Sequence, residues 1–87
     1  MVTQKIIVSN EQGLHMRPAT MFSAAVTPFD ADVKISFNGN LYDGKSVMML
    51  MAACIKCGDE IEIQCVGTDE KAALEKAIEL VESGLGE

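Results

Sequence analysis

The run Asp32–Phe37, followed by Asn38-Gly39 and Asn40–Asp43, limits the fold of this chain more than any other feature. Val33, Ile35 and Phe37 alternate with Asp32, Lys34 and Ser36, the two-residue period of a strand with one buried face. Asn-Gly accepts positive φ at both turn positions, so it closes a tight hairpin into the short return strand Asn40–Asp43. An antiparallel sheet is therefore required. Glu60–Val66 adds a strand with Ile61, Ile63 and Cys65 on one side and Glu60, Glu62 and Gln64 on the other. Val2–Val8 is a less regular fourth, setting Val2, Gln4, Ile6 and Val8 against Thr3, Lys5 and Ile7.

The segments between the strands change to helical spacing. Met16–Thr27 places Ala19, Phe22, Ser23 and Val26 on one stripe, with Pro18 in the first turn, where a missing N–H costs nothing. Asp69–Ser83 does the same with Leu74, Ala77, Ile78 and Val81, opens on Asp69 and Glu70, and ends at Gly84. Ser46 is suited to cap a shorter helix over Val47–Ala53. The predicted order is β-α-β-β-α-β-α, and the helices must cover one face of a four-stranded sheet. The expected fold is thus an α+β open-faced sandwich, with residues 1–87 as a single domain.

No apolar run is long enough to span a bilayer, and the N-terminus lacks the order of a signal peptide, so a soluble cytoplasmic protein is expected without membrane insertion. Three cysteines cannot all pair, and 48% hydrophobic residues supply a core without disulfides, so reduced thiols are expected. A net charge of −6 argues against direct nucleic-acid binding, which needs clustered cations. The acids are unevenly spread: Gln12–Phe29 and Gly44–Gly58 contain none. These windows hold Arg17, Lys45 and Lys56 and total +3, whereas the remaining four cations and all 13 acids total −9. Either the windows are simply buried helices, or they meet as an acid-free face suited to an anion or an acidic partner.

The chemistry concentrates in Gly13-Leu14-His15-Met16-Arg17-Pro18-Ala19. A lone histidine is commonly solvated or structural, but this one stands at a predicted helix start, where orphan N–H groups and the dipole favour a bound anion. Arg17 adds a permanent cation for phosphate oxygens. The same helix end should disfavour imidazolium, leaving a neutral ring nitrogen as nucleophile. No Walker-type loop, metal-ligand cluster or catalytic triad pattern accompanies it, so a carrier of a group between larger catalysts fits better than an enzyme.

This segment resembles the active-site motif of HPr, the histidine-containing phosphocarrier of the bacterial phosphotransferase system, and Gly44-Lys45-Ser46 resembles that family's regulatory-serine segment. Arg17-Pro18-Ala19-Thr20 and Gly84-Leu85-Gly86-Glu87 are similar to the Gram-positive branch. The resemblance implies an HPr-like fold across the whole chain. It implies that His15 is phosphorylated on Nδ1 by Enzyme I, with phosphoenolpyruvate as ultimate donor, and passes the group to sugar-specific IIA proteins or domains, with Arg17 assisting. It further implies a docking surface of Met16, Thr20, Val47, Met48 and Met51. No cofactor is expected, and nothing in the sequence demands more than a monomer. Ser46 phosphorylation by an HPr kinase/phosphorylase would make the chain a corepressor with a catabolite-control transcription factor.

On the short helix, Val47, Met48 and Met51 fall on one side and Leu50 and Ala53 turn to the core. Two departures from the family pattern stand out. Cys54 takes a position usually held by the glycine that ends this helix, and Gln12 replaces a small polar residue. Cys54-Ile55-Lys56-Cys57 has redox or half-zinc spacing, but zinc lacks further ligands beyond Cys65 and His15, and the pair closes a helix where a thioredoxin-like motif would open one. Packing or incidental cysteines, and no metal, are expected. A purely regulatory module acting through Ser46 is the main alternative to the carrier.

Overall fold

The computed structural model describes residues 1–11 and 13–85. Its elements are β1 (Val2–Ile7), α1 (Met16–Val26), β2 (Asp32–Phe37), β3 (Asn40–Asp43), α2 (Val47–Ala52), β4 (Glu60–Val66) and α3 (Glu70–Glu82). The strands form one antiparallel sheet in the order β1-β4-β2-β3. Asn38 (φ 53°) and Gly39 (φ 80°) make the two-residue turn between β2 and β3, with Phe37 opposite Asn40. Asn38 therefore tolerates a left-handed conformation that few side chains accept.

Register determines the faces. Val33 lies opposite Cys65, Ile35 opposite Ile63 and Ile6 opposite Ile61, so the apolar residues of the central strands share the helix-covered side. Val33, Ile35, Ile61, Ile63 and Cys65 are all buried there. Against them pack Phe22 and Val26 of α1, Leu50 of α2, and Ala73, Ala77, Ile78 and Val81 of α3. Each large side chain buried in this layer contributes roughly 1.5–3 kcal/mol. Lys5, Glu62 and Ser36 form a polar row on the open side. Burial pushes the Cys65 thiol pKa up, reinforced by the negative charges of Glu70 and Asp69.

Several element ends shift by one residue from the sequence expectation. Val8 lies outside β1: its N–H donates to the Asp59 carbonyl (2.9 Å), and its own carbonyl accepts from Gly58 N–H (2.7 Å). Gln4, expected inward, is exposed on an edge strand. Thr27, Ala53, Asp69 and Ser83 are caps flanking their helices. In α3, Ala73 occupies the inner stripe and Leu74 is only half-buried. The helix closes with Leu85 N–H donating to the Leu80 carbonyl and Gly84 N–H to that of Val81, a Schellman arrangement that buries Leu85. Gly86 and Glu87, part of the tail likened to the Gram-positive branch, lie outside the described residues, as does Gln12.

Asp69 works across the fold. Its carboxylate accepts the backbone N–H groups of Asp30 (2.9 Å) and Ala31 (2.8 Å), fastening the start of α3 to the entry of β2. The Asp30 bond, joined by that of Ala31, holds the carboxyl below its ordinary pKa against a smaller opposing desolvation. A lowered folded pKa stabilises the protein above the ordinary aspartate value, and that contribution disappears as pH falls through the folded value. Asp69→Asn should therefore lower the urea midpoint at neutral pH, with the difference from the parent closing on acidification. A difference that widened in acid would contradict this assignment.

Cys54 marks the end of α2 in the left-handed region (φ 55°), its N–H donating to the Met51 carbonyl at 3.2 Å. This is a position that favours glycine. Removing a left-handed penalty of roughly 1–2 kcal/mol outweighs the added backbone entropy of glycine, about 0.5–1 kcal/mol. Cys54→Gly should thus stabilise by about 0.5–1 kcal/mol, a rise of several degrees in Tm. Thermal melts in reducing buffer check it.

Candidate functional site

The loop before α1 is pressed against the chain that follows α2. Gly13 (φ 63°) donates its N–H to the Asn10 carbonyl (3.1 Å), and Asn10 Nδ2 donates back to the Gly13 carbonyl (2.6 Å). Leu14, buried, donates its N–H to the Ile55 carbonyl at 3.0 Å. A Cβ on Gly13 would meet that carbonyl and approach Lys56 Cα to 2.7 Å, so only glycine permits the close passage. These contacts deliver the next residue, His15, to the N-cap of α1.

His15 has extended backbone (φ −82°, ψ −168°), its carbonyl accepts the Ala19 N–H (2.9 Å), and the residue is half-exposed. The first turn of α1 contains no acid, and Pro18 packs into the protein while Met16 and Arg17 face solvent. Orphan N–H groups and the positive dipole end therefore lie at the His15 backbone, with the exposed Arg17 two residues on, an arrangement favourable to negative charge.

The two acid-free windows do meet. Ser23 Oγ on α1 donates to the Lys45 carbonyl just before α2 (2.8 Å). A groove of about 300 Å³ beside α1 is lined by Leu14, His15, Met51, Cys54, Ile55 and Lys56. Lys45, counted in the charge of its window, is held within the fold: its Nζ donates to the Phe29 carbonyl (2.6 Å), and the residue is half-buried. Its charge is tied to a loop, which leaves Arg17 and Lys56 as the exposed cations of these windows.

Met51 lines this groove, and other methionines of α1 and α2 are exposed with it. Met48 is 83% exposed, Met16 64% and Met51 38%, whereas Leu50 and Ala53 are buried, as the helical wheel predicts. Val47 is half-buried against the core, and Thr20 is exposed with its hydroxyl donating to the Met16 carbonyl (2.7 Å). Met21 and Met49 are also exposed and were missing from the expected set; a wheel centred on Leu50 and Ala53 places Met49 at the boundary of the inner face. Ser46 caps α2 by accepting the Met49 N–H at 3.3 Å. Cys54, Cys57 and Cys65 are all free thiols, and Cys54 belongs to the groove, which its sequence position alone did not indicate.

Known proteins resemble the chain throughout. A family model described as "PTS HPr component phosphorylation site" matches residues 2–83. The HPr-like protein Crh of Bacillus subtilis is 38% identical over 76 residues, 87% of this chain and 89% of Crh. The crystal structure of HPr-C-His from Thermoanaerobacter tengcongensis superposes with a TM-score of 0.96 at 29% identity, covering 100% of this chain and 98% of that one. A phosphocarrier HPr from Bacillus anthracis gives 0.88 at 35% identity, covering 92% and 95%. An HPr from T. tengcongensis has also been solved as a dimer.

Proposed function

The chain belongs to the HPr family of phosphotransferase-system phosphocarriers, and from that membership we propose that His15 accepts a phosphoryl group from phosphorylated Enzyme I and donates it to sugar-specific IIA proteins. The observation that carries this reading is His15 at the N-cap of α1, a helix with no acid in its first turn, held there by the Gly13-Leu14 contacts. In the forward step a lone pair on Nδ1 attacks phosphorus, a new N–P bond forms, and the N–P bond of the donor's phosphohistidine breaks with its electron pair returning to the donor. Arg17 and the α1 N–H groups stabilise the equatorial oxygens, while the partner supplies most of the positioning. The chain has no reaction of its own to complete; it is a carrier and not an enzyme, working in the cytoplasm as a single domain.

Met16, Thr20, Val47, Met48 and Met51 form the docking surface in this reading. Exposed thioethers adapt to several partners without a fixed shape, and dissociation after transfer stays fast. The test is incubation with Enzyme I and phosphoenolpyruvate followed by addition of a IIA protein. One acid-labile phosphate should appear on this chain and then move to the acceptor. Label that stays on the chain in the presence of IIA would rule out a carrier. Sedimentation of the free chain should give a monomer, in contrast to the dimeric T. tengcongensis structure.

Similarity to Crh favours a second layer, regulation through Ser46. Phosphorylation there by an HPr kinase/phosphorylase, and corepression with a catabolite-control transcription factor, would add a charge at the rim of the docking surface. The α2 N-terminus tolerates that charge, but an acidic partner would not. Ser46→Asp should slow transfer from Enzyme I by about tenfold or more, equivalent to roughly 1.4 kcal/mol, with the melting curve little changed. Equal rates for parent and variant would separate Ser46 from the carrier cycle.

A further inference from the structure

The groove beside α1 brings together an imidazole (His15), a thioether (Met51) and a thiol (Cys54), with Leu14 and Ile55 as its aliphatic lining and Lys56 as its only charged residue. The backbone ties these elements to each other: Cys54 N–H donates to the Met51 carbonyl at 3.2 Å, and Leu14 N–H to the Ile55 carbonyl at 3.0 Å, adjoining His15 on one side and Cys54 on the other. Among the described residues that line the groove none carries a carboxylate; Asp59, which accepts the Lys56 N–H at 2.8 Å, lies outside the lining. Hard cations such as Mg²⁺ and Ca²⁺ require oxygen ligands and have none here. Among the described residues no three His, Cys, Asp or Glu side chains gather in one place, so the usual four-ligand zinc set is not built. Met51 adds a thioether to the imidazole and the thiol. Thiolate and thioether select the soft monovalent ion Cu(I), and an imidazole completes a set of three.

We propose that His15, Met51 and Cys54 form a Cu(I)-binding site. On binding, the Cys54 thiol loses its proton to solvent as the Cu–S bond forms, while the Met51 sulfur and one His15 ring nitrogen donate lone pairs without proton change. Thiolate and Cu(I) together are neutral, so the nearby Lys56 opposes the complex little. Copper on the imidazole competes with phosphorylation, a consequence that rests on the reading of His15 as phosphoryl acceptor. The binding itself does not. Cys57 is the competing sulfur; its Sγ is directed at the Ser9 carbonyl (3.7 Å) and lies outside the groove lining.

Anaerobic titration with Cu(I) against a chromophoric chelator, repeated with Ag(I) as a redox-inert probe, tests the site on the reduced full chain. One ion per chain is expected, with movement of the His15 ring resonances. Cys54→Ser should weaken binding by more than about 100-fold, and Met51→Leu and His15→Ala each by about 10–100-fold, while Cys57→Ser leaves it unchanged. Met51→Leu conserves volume at an exposed position, and circular dichroism verifies the fold of each variant. Loss of binding in Cys57→Ser with no effect of Met51→Leu and His15→Ala would assign the ion to the two cysteines alone and overturn the proposal. Binding that survives Cys54→Ser would overturn it equally. Metal binding is read without any phosphotransfer partner: copper that binds as expected to a chain that Enzyme I never labels would refute the carrier reading alone.

Discussion

His15→Ala is expected to abolish phosphate incorporation from phosphoenolpyruvate and Enzyme I while leaving the fold and its melting temperature nearly unchanged. The loss is total because the imidazole nitrogen itself forms the bond to phosphorus, and no neighbouring group can substitute. The fold is spared because His15 is half-exposed and contributes its backbone, not buried apolar area, to the α1 cap. Alanine is a poorer N-cap than Ser, Thr, Asp or Asn, but histidine is not among those preferred caps either, so the helix start changes little. Quantitative phosphoprotein analysis at neutral and acid pH checks the result. Acid-labile label persisting on the alanine variant would move the acceptor elsewhere.

Gly13→Ala should have the second largest effect and a different character. Its Cβ would collide with backbone at Ile55 and Lys56 in a residue already at φ 63°, so a left-handed penalty and a steric displacement add to about 2–4 kcal/mol. The same displacement would pull apart the Leu14–Ile55 hydrogen bond that holds His15 beside the groove, so transfer should fall with stability. Gly39→Ala is the matching control. Gly39 also has positive φ, but a Cβ there meets nothing within 4 Å, leaving only the conformational cost of roughly 1–2 kcal/mol. Urea denaturation of the pair separates the two contributions; equal losses would show that the close passage at Ile55 is unimportant.

Legibility in the sequence followed the range of the interactions. Asp32–Phe37, its Asn38-Gly39 turn and Glu60–Val66 matched the observed elements residue for residue because alternation and turn chemistry are local. The helix stripe of Phe22, Val26, Ala77, Ile78 and Val81 was equally legible, since one side must be apolar wherever a helix covers a sheet. Contacts between distant segments carry no periodicity. Nothing local reveals that Asp69 reaches back to Asp30 and Ala31, or that Lys45 gives its ammonium to Phe29. At the candidate site, the placement of His15 at a helix start followed from Pro18 and the apolar stripe behind it, but the groove did not. It exists only because the Gly13 loop runs against Ile55 and Lys56, which brings Cys54 and Met51 beside a histidine nearly forty positions away in sequence.

The uneven placement of its acids makes this chain an electric dipole as well as an anion. Arg17 and Lys56 stand exposed in segments that carry no acid of their own, within a protein of net charge −6, and the Asp59 carboxylate that accepts the Lys56 N–H (2.8 Å) marks where the acidic remainder begins. An approaching acidic partner therefore exerts a torque that rotates the His15 end forward before contact, and productive orientations are sampled more often than a uniformly charged sphere would allow. Added salt shortens the reach of that torque to about 8 Å at physiological ionic strength. Collision frequency should consequently decline with salt, while the rate of group transfer inside a formed complex stays constant.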